Sequence, residues 1–141
     1  MVMSHHLNIN EEEYSAEALN LFNREREGYI EFALDDLSGG ASVESAKKRL
    51  ETRAMLDMEH ILFDYLKDSN VLRTEYHYQY LSESYGRRIR REPRMSDVPS
   101  ELLDITKVRP DFNIIIDSVM TEAGKRKIIA DIMSVTEEAR K

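Results

Sequence analysis

The amino-acid sequence predicts an all-α protein: a helical hairpin packed with further helices into a four- or five-helix bundle, with an irregular proline-bounded segment. Three observations point there. Apolar residues recur at three- and four-residue spacing across 14–37 and again across 43–65, the period of a helix with one buried face. Glycine punctuation separates the two stretches. A third run with the same spacing follows Pro110. At 141 residues the chain suits one core and is short for two. Residues 10–141 are therefore expected to form a single helical domain behind a flexible N-terminus at 1–9.

The first helix starts at Asn10-Glu11-Glu12-Glu13. Asn10 can cap free amides, Glu13 can close a capping box, and the acids suit the positive helix end. Tyr14, Ala18, Leu21, Phe22, Tyr29, Ile30, Ala33, Leu34 and Leu37 form the apolar stripe, with Glu17, Arg24, Glu27 and Glu31 on other faces. Ser38-Gly39-Gly40 stops it. Gly28 inside the stripe costs about 1 kcal/mol relative to Ala and marks a kink or a close helix contact. Ser42 caps the second helix, whose stripe is Val43, Ala46, Leu50, Ala54, Met58, Ile61, Leu62 and Tyr65. The short connection makes the pair antiparallel, a hairpin from Glu11 to Leu66 with arms of roughly 35–40 Å at 1.5 Å per residue.

From Ser69 the signal divides. Tyr76, Tyr78 and Tyr80 alternate with His77 and Gln79 as in a strand, while Tyr78, Leu81, Tyr85 and Ile89 keep helical spacing. Because an isolated strand has no obvious partner among helical neighbours, the segment is predicted as a third helix fading near Arg91. Pro93, Pro99 and Pro110 bracket 92–110 as an arm or linker, with one short turn at Ser100-Glu101-Leu102-Leu103. Phe112, Ile115, Ile116, Val119 and Met120 mark the next helix, but Ile128, Ile129, Ile132, Met133 and Val135 fall on a rotated face. A break near Thr121 is predicted, with Thr121 capping a new helix and Gly124 weakening a continuous one; the alternative is a single long helix contacting two different neighbours.

Composition limits function. There is no cysteine, so disulfides, thiol nucleophiles and cysteine-bound zinc are excluded. No basic-then-apolar leader opens the chain, and the longest aliphatic run, Ile114-Ile115-Ile116, is far below the roughly 20 residues of a membrane span. A cytoplasmic protein with no membrane contact is expected. Glycine-rich phosphate loops, the Gly-x-Ser-x-Gly elbow and the His-Glu-x-x-His helix are missing. A non-catalytic protein without cofactor is expected. Asp57 and His60, with Glu27 or Glu31 across the hairpin, resemble half of a di-metal bundle site, but no second acidic-x-x-His helix completes it. His5 and His6 form no closed ligand set. No metal site is expected.

The binding signal is the tyrosine run 76–85 followed by five arginines. Tyrosine and arginine dominate binding hot spots, so Tyr78, Tyr85, Arg87, Arg88, Arg90, Arg91 and Arg94 are the predicted partner-binding residues. Helix one is the acidic complement, with Glu11, Glu12, Glu13, Glu17, Glu25, Glu27, Glu31, Asp35 and Asp36 against Arg24 and Arg26; such contrast steers and orients docking. The expected function is a protein-binding adaptor, assembly or regulatory factor that docks on a larger macromolecular complex, with self-association into a homo-oligomer as a further prospect. The alternative is a nucleic-acid-binding factor in a transcription, replication or packaging assembly, with 73–94 supplying phosphate-neutralising arginines and stacking tyrosines. The net charge of −7 opposes that alternative at long range.

Overall fold

The computed structural model describes residues 9–69, 71–72, 93–140, and the backbone of 81–84 and 87–90. Helix α1 spans Glu11–Ser38 and α2 spans Val43–Asp68. The expected caps are in place: the Asn10 side chain accepts from the Glu13 amide at 3.1 Å, and Ser42 Oγ accepts from the Ser45 amide at 3.1 Å. Between the helices Gly40 adopts φ 96°, a left-handed conformation that costs glycine nothing and other residues roughly 1–2 kcal/mol. Gly28 lies within the continuous helix and admits no close neighbour; a Cβ placed there meets nothing within 4 Å.

The middle of the chain corrects the third helix. Leu81–Ser84 (β1) and Arg87–Arg90 (β2) form a two-stranded antiparallel ladder, pairing Leu81 with Arg90, Ser82 with Ile89, Glu83 with Arg88 and Ser84 with Arg87. Each of these strands has its partner in the other, whereas the alternating stretch 76–80 lies outside the described residues. Only Tyr85 and Gly86 separate the two strands in sequence, and a two-residue connection containing glycine is the usual hairpin spacing.

Residues 93–110 of the segment expected as an irregular arm or linker contribute to the core. A 3-10 turn at Met95–Asp97 leads to α3 (Ser100–Leu103), the short turn expected there, and then α4 (Ile105–Val108). Val98, Leu102, Leu103, Ile105 and Val108 are buried with the hairpin. Each such side chain contributes on the order of 1.5–3 kcal/mol through burial, which accounts for a proline-rich stretch being held.

The last helix, α5, runs unbroken from Phe112 to Ala139, correcting the break at Thr121. Thr121 Oγ1 donates to the Asp117 carbonyl one turn back, 2.9 Å away, so it stays within the helix instead of capping a new one. Gly124 is likewise open, with nothing within 4 Å of a built Cβ. The result is an all-α bundle of three long helices, α1, α2 and α5, completed by α3 and α4. One cluster of buried residues joins them, from Tyr14, Phe22 and Ile30 of α1 through Leu50, Met58 and Leu62 of α2 to Phe112, Ile116 and Val119 of α5. Phe22 sits at its centre, tilted on Tyr29 at 5.0 Å and edge-on to Phe112 at 6.4 Å. Val43, placed in the α2 stripe by its spacing, is exposed. Among the described residues no helix is long and apolar enough to cross a membrane.

Candidate protein-binding groove

Buried polar contacts fix where the short helices sit. The Tyr14 hydroxyl, on α1, donates to the Leu102 carbonyl of α3 at 2.7 Å. Burial pushes this phenol far above its usual range, and neighbouring Tyr65 adds to the shift. Asp104 caps α4, accepting from the Thr106 amide at 2.9 Å and its hydroxyl at 2.6 Å. Arg109 joins the end of α4 to both flanks, donating to Ser15 Oγ at 3.1 Å and to Asp111 at 2.6 Å. The Tyr14 and Arg109 contacts tie the short helices to α1, and among the described residues Met55 and Leu56 of α2 stay exposed beside them.

The uncovered strip is a groove of about 750 Å³ between α2 and the 95–107 segment. Met55 and Leu56 of α2, 41% and 57% exposed, form one wall; Met95, Val98, Leu103 and Ile105 supply apolar surface opposite. Among the described residues Glu59, Glu101 and Asp104 line it against a single cation, Lys107. Methionine adapts its shape to whatever packs on it, and a concave apolar strip with polar edges is suited to receiving an apolar anchor.

Leu56 also borders a second hollow, of about 380 Å³, lined by Phe32, Ser45, Lys48, Arg49, Thr52 and Arg53. The Arg49 and Arg53 guanidinium carbons lie 5.7 and 5.3 Å from the Phe32 ring centroid, within cation–π range. Both arginines also face acids: Arg49 Nε is 3.2 Å from Asp36, and Arg53 Nε is 3.2 Å from Asp57. This is an aromatic and arginine surface, built by the hairpin itself.

The sequence-predicted residues fare unevenly. Tyr78, Tyr85 and Arg91 lie outside the described residues, as do 1–8 of the expected flexible N-terminus. Arg87, Arg88 and Arg90 occupy consecutive or alternate positions of β2, so strand alternation assigns positions 88 and 90 to one face and 87 to the other. Arg94 is exposed, its amide donating to Asp97 Oδ2 at 2.8 Å. Phe32, Arg49, Arg53, Met55 and Leu56 went unnoticed in the sequence. Their only signal was Met55 and Leu56 standing off the α2 stripe.

The acidic helix is partly spoken for. Glu27 receives both Arg126 Nη1 and Arg126 Nη2 from α5, the latter at 3.0 Å; hydrogen bonding to this arginine lowers the Glu27 pKa. With Glu27 turned to Arg126, Asp57 paired to Arg53 and His60 exposed, the half-site considered for metal is dispersed. Among the described residues no group of three acidic or histidine side chains is arranged to hold a metal ion.

Comparisons with protein-family models, with curated proteins and with solved structures found no match for this chain.

Proposed function

We propose that this bundle is a non-catalytic adaptor, assembly or regulatory factor that docks on a larger protein complex, its partner inserting an apolar anchor into the groove beside Met55 and Leu56. The exposed apolar wall of that groove carries the reading: large aliphatic side chains in a concave strip lose water when a complementary segment enters. Three acids against one lysine at the edge favour an anchor with basic neighbours. The proposed setting is the cytoplasm, in line with a chain free of cysteine.

Leu56→Glu tests the proposal. The side chain is exposed, so the melting temperature should stay within the range of ordinary surface substitutions, roughly ±0.5 kcal/mol. Full-length bait should then lose the partners that wild-type protein retains from its native source. Identical retained sets for the two baits would refute the groove.

The Phe32, Arg49 and Arg53 surface favours a second reading, nucleic-acid binding. Phosphate must there displace Asp36 and Asp57 from the arginines and overcome the charge of −7, so protein docking is preferred. Filter retention of labelled single- and double-stranded nucleic acid at low salt, falling steeply as salt rises, would establish the second reading instead. Absence of retention at low salt removes it.

A further inference from the structure

Helix α5 carries two apolar faces. Phe112, Ile116, Val119, Met120 and Ala123 are buried in the bundle. Beyond Ala123 the helix continues for sixteen residues, Gly124 to Ala139, about 24 Å at the helical rise, and no large apolar side chain on it is buried. Ile128, Ile129, Ile132, Met133 and Val135 are 56–68% exposed. At about 100° per residue, Ile132 lies roughly 160° around the helix from Ile116. The second face therefore looks away from the bundle, and α1 and α2 cannot cover it.

We infer that this face is a self-association surface, on which two copies of the chain pair their α5 extensions antiparallel about a two-fold axis near Asp131 and Ile132. Self-complementarity is the requirement of such an interface, and three features meet it. The apolar residues are centred on the free rod, whose midpoint falls between Asp131 and Ile132. Rotation about that midpoint sets Ile128 opposite Val135 and Ile132 beside its own counterpart. The charges are segregated in the matching way: Lys125, Arg126 and Lys127 begin the rod and Glu137 and Glu138 end it. Antiparallel pairing brings each basic end to an acidic end, whereas parallel pairing opposes like charges at both.

The existing ion pairs occupy two of the three basic groups and leave Lys125, Glu137 and Glu138 for the partner. Arg126 is held by Glu27 and Glu122, and Lys127 by Asp131 at 2.7 Å. Lys125, Glu137 and Glu138 have no ion-pair partner among the described residues. The free length also fits, because two fully overlapped sixteen-residue rods end each copy where the other's bundle begins. The surface is separate from the groove, so either can fail alone.

Sedimentation of the full chain at micromolar concentration tests the pairing. A species at twice the 16.5 kDa chain mass is expected. Ile132→Asp should weaken dimerisation by about tenfold or more, equivalent to about 1.4 kcal/mol, with the urea midpoint of the bundle unchanged because Ile132 is exposed. Lys125→Glu should weaken it, and Lys125→Glu combined with Glu138→Lys should restore it. Spin labels on Glu138→Cys should sit about 20 Å apart along the rods in an antiparallel pair and closer than that in a parallel one. A monomer at these concentrations, a dimer indifferent to Ile132→Asp, or closely spaced labels would overturn the inference.

Discussion

Tyr14→Phe removes one oxygen and isolates the contact that ties the short helices to the hairpin. The hydroxyl is buried and donates over 2.7 Å to a carbonyl 88 residues away in sequence. Phenylalanine keeps the ring, and with it the tilted contact to Tyr65 at 6.2 Å. A neutral hydrogen bond contributes about 0.5–1.5 kcal/mol net, and a buried carbonyl deprived of its donor costs about 1–3 kcal/mol. The expected loss is therefore about 1–3 kcal/mol, a fall in Tm of roughly 3–10 °C for a domain of this size. Urea unfolding followed by far-ultraviolet circular dichroism measures it, with Tyr65→Phe as control, since Tyr65 is only half-buried. Amide exchange should quicken first in Ser100–Leu103. If Tyr14→Phe proves no more destabilising than Tyr65→Phe, the hydroxyl does not hold α3 in place and the account of the groove's rigid wall fails.

Gly28→Ala should stabilise the protein by about 0.5–1 kcal/mol, seen as a higher urea midpoint, because the position is helical and open. Gly40→Ala should destabilise it by about 1–2 kcal/mol in the same assay, since alanine must take up φ 96°. Stability should fall as pH rises past about 10: burial raises the pKa of Tyr14, and burial and then Asp57 raise that of Tyr29, so the folded state retains protons that the unfolded chain releases. Each buried tyrosine steepens the loss by up to about 1.4 kcal/mol per pH unit, and Tyr14→Phe should flatten the alkaline limb of a urea-midpoint profile.

Local chemistry made the hairpin readable. Asn10, Ser42 and the two glycines act within a turn or two of themselves, and the α1 and α2 stripes meet each other directly, so sequence spacing and burial coincide. The 69–91 segment carried both periods at once, and weighing a strand only against distant partners overlooked the one immediately after Gly86. For α5 the rotated stripe was a true signal of changed surroundings, wrongly equated with a break. Backbone hydrogen bonding continues through Thr121 whatever the side chains face. The groove was beyond sequence reasoning because its walls, Met55–Leu56 and Met95–Ile105, come from segments some forty residues apart, joined by contacts such as Tyr14 to Leu102.

The bidentate grip of Arg126 on Glu27 falls just past the last buried residue of α5, at the point where the rod leaves the bundle. Up to that clamp, helicity is enforced by neighbours; past it, the thirteen residues to Ala139 depend on intrinsic propensity, and isolated helices of that length are marginal in water. Proteases act on segments that open readily, so the outer half of α5 is liable to cleavage until something lies against it. The lifetime of the intact polypeptide is thereby coupled to whether it has found its company.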